Sequence, residues 1–201
     1  MHWPVKTGYF GNEIEYRDTW NAMTRLVASN KTRHIGVCNF APAQLEDLLN
    51  HTSYAPDVHQ MEMHPYLAQN DWLKAHQKHG IHVTAYSPLA GTNPTYDPGL
   101  PVPLLKNETI THIAKKRGCT PAQVALAWGL SRGTSVIPKS AHLERISENF
   151  AALTCALTDK DLAKIDKLDK EHYRYGNPGK NWGVDLFEGL EDSEGDHKKH
   201  S

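Results

Sequence analysis

Apolar positions along this chain switch repeatedly between a strand-like and a helix-like period, and the switches divide it into consecutive units. Four short segments, His34–Phe40, Val58–His64, Ile81–Ser87 and Ser135–Lys139, are apolar or β-branched and read as strands. Each is followed by helical spacing. Leu45, Leu48 and Leu49 share one face of a helix over Ala43–Leu49, and Asp71–His79 ends at Gly80, a favourable residue just past a helix end. Thr120-Pro121-Ala122-Gln123 reads as an N-cap, a proline at the first helical position and a capping-box glutamine, opening a helix that carries Val124, Leu126, Ala127 and Leu130. Before the first strand, Asp18–Ser29 places Trp20, Met23, Leu26 and Val27 on one face, and Thr158 caps a last helix with Leu162, Ile165 and Leu168. The first three strands recur at about 24 residues, the spacing of βα units in a parallel sheet. The fourth comes after about twice that interval, which holds the Gly/Pro-rich loop Gly91–Pro103 and an extra helix, Glu108–Arg117. Tyr173–Gly189 is irregular but rich in aromatics, and residues 190–201 read as a disordered polar tail.

Composition narrows the partners. A chain of 201 residues buries roughly 70% of its unfolded surface and normally makes one domain. Net charge is −1, which gives no electrostatic case for nucleic acid or an anionic membrane. The Lys115-Lys116-Arg117 run reads as a solvated helix end, and no apolar run reaches the ~18–20 residues that span a bilayer. Cys38, Cys119 and Cys155 are odd in number and scattered, which fits a reducing cytosol better than a disulfide framework. The 13 histidines show no metal-ligand spacing; no metal is expected, and most should lie on the surface.

The candidate chemistry concentrates in Val136-Ile137-Pro138-Lys139-Ser140 and the helix after it. Backbone N–H groups and the helix dipole favour an anion there. Arg145, Glu148 and Asn149, at i, i+3 and i+4, share a face near that helix's start. A cation, a hydroxyl, a guanidinium and an amide gathered there suit a nucleotide phosphate with a base beside it. Leu143, Ile146, Phe150 and Leu153 form the neighbouring apolar stripe, expected to hold the helix on a core. The plain alternative is an ordinary strand-to-helix turn with a solvated polar face.

"VIPKS" with "ERISENF" is similar to the cofactor-binding segment of the aldo-keto reductase family. "HWPV" at His2–Val5, "IGVCNF" at Ile35–Phe40, "HQMEMHPYL" at His59–Leu67 and "AYSPLAG" at Ala85–Gly91 resemble other family landmarks in the expected order. The resemblance runs from residue 2 to about Trp182. It favours a (β/α)8 barrel over the doubly wound sheet that repeated βα units also allow, and it implies an α/β chain forming the C-terminal portion of such a barrel. Four complete βα units are countable, with the end of a fifth strand at Met1–Val5. Residues 1–189 would be a partial reductase domain. "HWP" lies about midway through the family pattern, so a truncated gene model, a fragment or an alternative product is expected, marginally stable because a barrel needs about 250 residues and eight strands.

The resemblance implies an NADP-dependent oxidoreductase that reduces small aldehydes or ketones, monomeric and cytoplasmic when complete. His2 would orient the carbonyl, while the proton-donating tyrosine, its aspartate and its lysine belong to segments upstream. Trp3 and Trp182 would line the substrate pocket. Asn39 and Gln60 would hold the nicotinamide carboxamide, with Cys38 standing where many members have serine. Tyr86 would stack on the nicotinamide. Ser87 and Leu89 would bind the pyrophosphate, with Gly91–Pro103 closing over it as a flap. Lys139, Ser140 and Arg145 would clamp the 2′-phosphate, and Glu148 and Asn149 would address the adenosine. No G-x-G-x-x-G fingerprint supports a Rossmann site. As written, the chain is expected to be inactive alone. The rival is a non-catalytic product that binds a nucleotide or a protein.

Overall fold

The computed structural model describes residues 1–5, 15–91 and 102–190. The tail expected from residue 190 onward lies outside them except for Leu190, as does most of the Gly91–Pro103 flap. The described residues fall into two compact units: 1–5, 15–61, 70–83 and 178–190 form one, and 62–69, 84–91 and 102–177 the other. The architecture is α/β. Its parallel sheet has four strands, β1 (Gly36–Cys38), β2 (Val58–Glu62), β3 (His82–Tyr86) and β4 (Ser135–Val136), in the order β1-β2-β3-β4. Gly36 pairs with Val58 and Thr84 with Ser135. The order follows the chain and lacks the reversal that defines a doubly wound sheet. All four strands are shorter than the apolar runs that announced them, because a parallel ladder ends where the chain turns into the next connection.

In the first unit, α1 (Tyr16–Ala28) carries Trp20, which is fully buried and packs with Ile35, Val37, Phe40, Leu45, Leu48 and Ile81. Its indole N–H donates to the Tyr54 carbonyl at 3.0 Å. Met23 and Val27 join this core as expected, but Leu26 stays exposed. The helices α2 (Pro42–Asn50) and α3 (Asn70–Lys78) lie close to the expected spans. Gly36 is obligatory on β1, since a Cβ there would sit 2.5 Å from the Val58 carbonyl oxygen. No strand is assigned at Met1–Val5, so the expected end of a fifth strand is not seen there. Instead the Met1 ammonium donates to the Gly36 carbonyl at 2.8 Å. Leu186, Phe187 and Leu190 form a second apolar cluster with Trp3, Val5 and Trp72, so the segment expected to be irregular packs, and it includes the short helix α8 (Gly179–Trp182).

In the second unit, α4 (Glu108–Arg117) contacts α5 (Pro121–Ser131) and α7 (Asp159–Asp166), with Ile110, Ile113, Val124, Leu126, Trp128 and Ile165 buried. The capping box at the start of α5 is as expected: Thr120 Oγ1 accepts from the Gln123 backbone N–H, and the Gln123 side chain accepts from Thr120 N–H. Thr158 likewise caps α7, reciprocated by Asp161.

Three expectations fail here. First, α6 (Leu143–Phe150) buries none of its residues. Leu143 is 79% exposed and Phe150 76%, and Ile146 and Leu153 are exposed too, so the apolar stripe has no core beneath it. The spacing was correct; the surface to receive it is absent among the described residues. Second, Cys119 and Cys155 form a disulfide, with Cα atoms 6.0 Å apart. Sequence distance hid the pair: a separation of 36 positions is closed as the chain brings the end of α4 and the segment after α6 to one place. Third, the basic run is not only a solvated helix end, because Arg117 Nε donates to the buried Asp161 carboxylate at 2.6 Å. Hydrogen bonds from Thr158, with those from Arg117, hold that carboxyl well below the usual carboxylate range.

Candidate cofactor and substrate site

The candidate residues of the first unit cluster at its β1 end. Asn39, directly after β1, is buried and adopts φ 61°, a left-handed conformation that asparagine tolerates better than most residues. Its backbone N–H donates to the Gln60 carbonyl at 3.1 Å, and its side-chain Nδ2 donates to the His2 carbonyl and to Cys38 Sγ, both at 3.1 Å. His2, Cys38, Asn39 and Gln60 are therefore brought together. Cys38 accepts from the carboxamide, and burial pushes its thiol up to about 11. His2 itself is exposed, its ring 5.5 Å from that of Trp3. Trp3 and Trp182, singled out separately as substrate-lining residues, meet edge to face at 5.1 Å, and Phe187 adds a second edge contact to Trp3 at 6.0 Å. Two large rings in mutual contact, with Trp182 about half exposed, make an apolar wall.

In the second unit, Tyr86 ends β3 and is half-buried. The chain then runs through two non-glycine residues in the left-handed region, Ser87 at φ 48° and Ala90 at φ 55°. Such residues cost of order 1–3 kcal/mol each and collect at binding sites. Leu89 lies half-buried between them. After β4, Lys139 is exposed, and the Ser140 hydroxyl accepts from His142 N–H at 3.1 Å in a turn that leads into α6. Arg145 is exposed on α6, and neither Lys139 nor Arg145 has an ion-pair partner among the described residues. Glu148 is differently placed from what its spacing suggested. The Thr120 hydroxyl donates to its carboxylate and Gln123 Nε2 donates to its carbonyl at 3.0 Å, which ties it to the start of α5. Asn149 beside it is half-buried.

Two polar clusters escaped sequence reasoning. His59, His64 and His76 are fully buried, exceptions among histidines that mostly lie exposed as expected. The Phe40 N–H donates to His59 Nε2, His59 Nδ1 faces His76 Nε2, and His76 Nδ1 bonds the Trp72 carbonyl at 2.6 Å. In the second unit the buried Glu62 accepts from His64 Nε2 at 3.0 Å and from the backbone N–H groups of Tyr175 and Gly176, each at 2.7 Å. Period-2 alternation along Val58–His64 places Glu62 and His64 on one side of the strand. Their partners lie 113 and 114 residues away, beyond the reach of any local pattern. Among the described residues, no group of three or more His, Cys, Asp or Glu side chains could hold a metal, and no helix is long and apolar enough to cross a membrane.

The exposed Lys139 and Arg145, the Ser140 hydroxyl and the strained Ser87–Ala90 turn fit an anionic dinucleotide. Comparison with known proteins shows the family. The aldo/keto reductase family model matches residues 1–170. An uncharacterised oxidoreductase of Schizosaccharomyces pombe is 43% identical over 84% of this chain and 56% of its own length. The NADP-dependent D-sorbitol-6-phosphate dehydrogenase of Malus domestica is 36% identical over 87% of this chain and 56% of its own. Among solved structures, an aldo-keto reductase complexed with NADPH superposes with a TM-score of 0.84 at 30% identity, covering 93% of this chain and 58% of that one. The chain thus spans about half the length of the relatives it matches. On its motifs, its fold and these likenesses, the chain belongs to the aldo/keto reductase family.

Proposed function

We propose that this chain is the C-terminal, cofactor-binding portion of an NADP(H)-dependent carbonyl reductase with a (β/α)8 barrel. The observation that carries the reading is the pair of exposed cations Lys139 and Arg145, which have no ion-pair partner among the described residues, beside the Ser140 turn. Lys139 and Arg145 would grip the nucleotide 2′-phosphate, Arg145 also offering a planar face to the adenine, with Asn149 alongside. Glu148, bound to Thr120, would support that helix start more than touch adenosine. Ser87, Leu89 and the strained backbone around them would hold the pyrophosphate. Tyr86, Asn39 and Gln60 would fix the nicotinamide, with Cys38 weakening the contact that serine would make. The bound cofactor would supply the hydride. His2 would orient the carbonyl, and Trp3 and Trp182 would exclude water above it.

The chain by itself would not turn over. None of Tyr9, Tyr16 or Tyr54 lies in a segment like the family's proton-donating motif, and a missing general acid costs ~10²–10⁴-fold. The substrate of the complete enzyme would be a small aldehyde or ketone, and the enzyme a cytoplasmic monomer. A second reading, a non-catalytic product that binds protein, draws on the bare apolar face of α6.

The test is cofactor preference. A charge-assisted contact contributes about 1.5–3 kcal/mol, so NADPH should bind tenfold or more tightly than NADH, and Arg145→Ala should narrow the gap. Equal affinities, or a preference unmoved by Arg145→Ala, refute the reading. NADPH oxidation with nitrobenzaldehyde should stay at background.

A further inference from the structure

The second unit contains a backbone strap that bears on the residue assigned to the nicotinamide. Tyr173 N–H donates to the Tyr66 carbonyl at 2.8 Å, and Arg174 donates to Gln69 Oε1 at 3.0 Å. Tyr175 and Gly176 then donate both backbone N–H groups to the fully buried Glu62 carboxylate. His64 completes that carboxylate's shell through Nε2. A buried carboxylate is costly unless hydrogen-bonded, and these three donors, with a cationic Arg174 nearby, hold Glu62 ionised, its pKa lowered despite burial. The strap also closes on the β3 turn. A Cβ on Gly176 would lie 3.0 Å from the Tyr86 hydroxyl oxygen and 2.9 Å from Glu62 Oε2, and the Tyr175 ring packs so closely on Gly91 that a Cβ there would meet it at 2.1 Å. Both ends of Tyr86–Gly91 are thereby braced by two consecutive strap residues.

We propose that Glu62 is a positioning residue: by anchoring the Tyr175 and Gly176 backbone it sets where Tyr86 presents its ring, with Gly176 required because a side chain there would crowd both the Glu62 carboxylate and the Tyr86 hydroxyl. The inference rests on the cofactor reading, which gives Tyr86 its role. A charged acceptor that serves two consecutive N–H groups cannot be replaced by an amide, because a glutamine turns one of its own donors toward the strap. Only the nicotinamide end of the cofactor should register the change, since Lys139, Ser140 and Arg145 are not part of the strap.

The experiment compares the full chain with Glu62→Gln and Gly176→Ala, measuring amide hydrogen exchange at Tyr175 and Gly176 and the affinities for NADPH and for 2′,5′-ADP, which carries the 2′-phosphate but no nicotinamide. In Glu62→Gln both amides should exchange at least about tenfold faster, and both variants should weaken NADPH about tenfold while leaving 2′,5′-ADP nearly unchanged. Glu62→Asp should recover part of the loss. Equal weakening of the two ligands would mean general damage to the fold and overturn the positioning role, and unchanged exchange would overturn the anchor. A wild-type chain that binds neither ligand would overturn the cofactor reading and Tyr86's role with it, while the exchange data would still decide whether the anchor exists.

Discussion

His59 and His76 show how completely one proton can be specified in a buried pair. His76 Nδ1 bonds a carbonyl, so it carries the hydrogen, and His76 Nε2 must accept from His59 Nδ1. His59 Nε2 in turn accepts the Phe40 N–H. Every ring nitrogen has one role, and an added proton would set donor against donor. Burial accordingly lowers the His76 pKa below the ordinary histidine value. A folded pKa below the unfolded one means that the unfolded chain takes up the proton first. Neutral His76 therefore contributes its full stability above about pH 6.5 and loses it as pH falls below that value. Urea unfolding at pH 7.5 and 5.5 should show a loss of about 1 kcal/mol on acidification, and His76→Gln should shrink that difference. An identical pH dependence in the variant would assign the effect to other groups. Nothing in the spacing of these histidines announced the pair, because it joins a strand to a helix through Phe40 and Trp72.

At the scale of elements, helix starts were the most legible feature, since a cap and its glutamine are three residues apart and act locally. Thr120 has a second task that the motif does not reveal: its hydroxyl also donates to Glu148, so the start of α5 and the end of α6 share one residue. Thr120→Ala should cost about 2 kcal/mol, the upper end for a lost cap, read as a drop in the unfolding midpoint. Thr120→Ser should restore most of it. The Cys119–Cys155 bridge joins the same neighbourhood from the other side. Thiol titration of the native chain without reductant should count no rapidly reacting thiol and, after unfolding, one: Cys38, which is buried with its thiol pushed up to about 11. Three reactive thiols after unfolding would contradict the bridge.

At the scale of the whole molecule, the bare face of α6 should dominate solution behaviour. Leu143, Ile146, Phe150 and Leu153 present a continuous exposed stripe, larger in character than the isolated apolar residues any surface carries. The chain should bind a hydrophobic dye and self-associate at micromolar concentration. Leu143→Glu with Phe150→Glu should reduce both without lowering the unfolding midpoint, because neither side chain is buried. A loss of stability in that double variant would show that the stripe has a partner within the chain.

Local chemistry determined what is short in range: the four strand positions, the helical faces and the caps at Thr120 and Thr158, all written within a few residues of one another. Tertiary structure alone decided what joins distant segments. It made Glu148 a support for α5, paired two cysteines 36 residues apart, linked His59 to His76, and laid Tyr175 and Gly176 on Glu62. It also decided that the α6 stripe, correctly spaced for burial, meets no core. The reason is physical: periodicity shows which side of an element avoids water, while the partner that covers it depends on where the rest of the chain is placed.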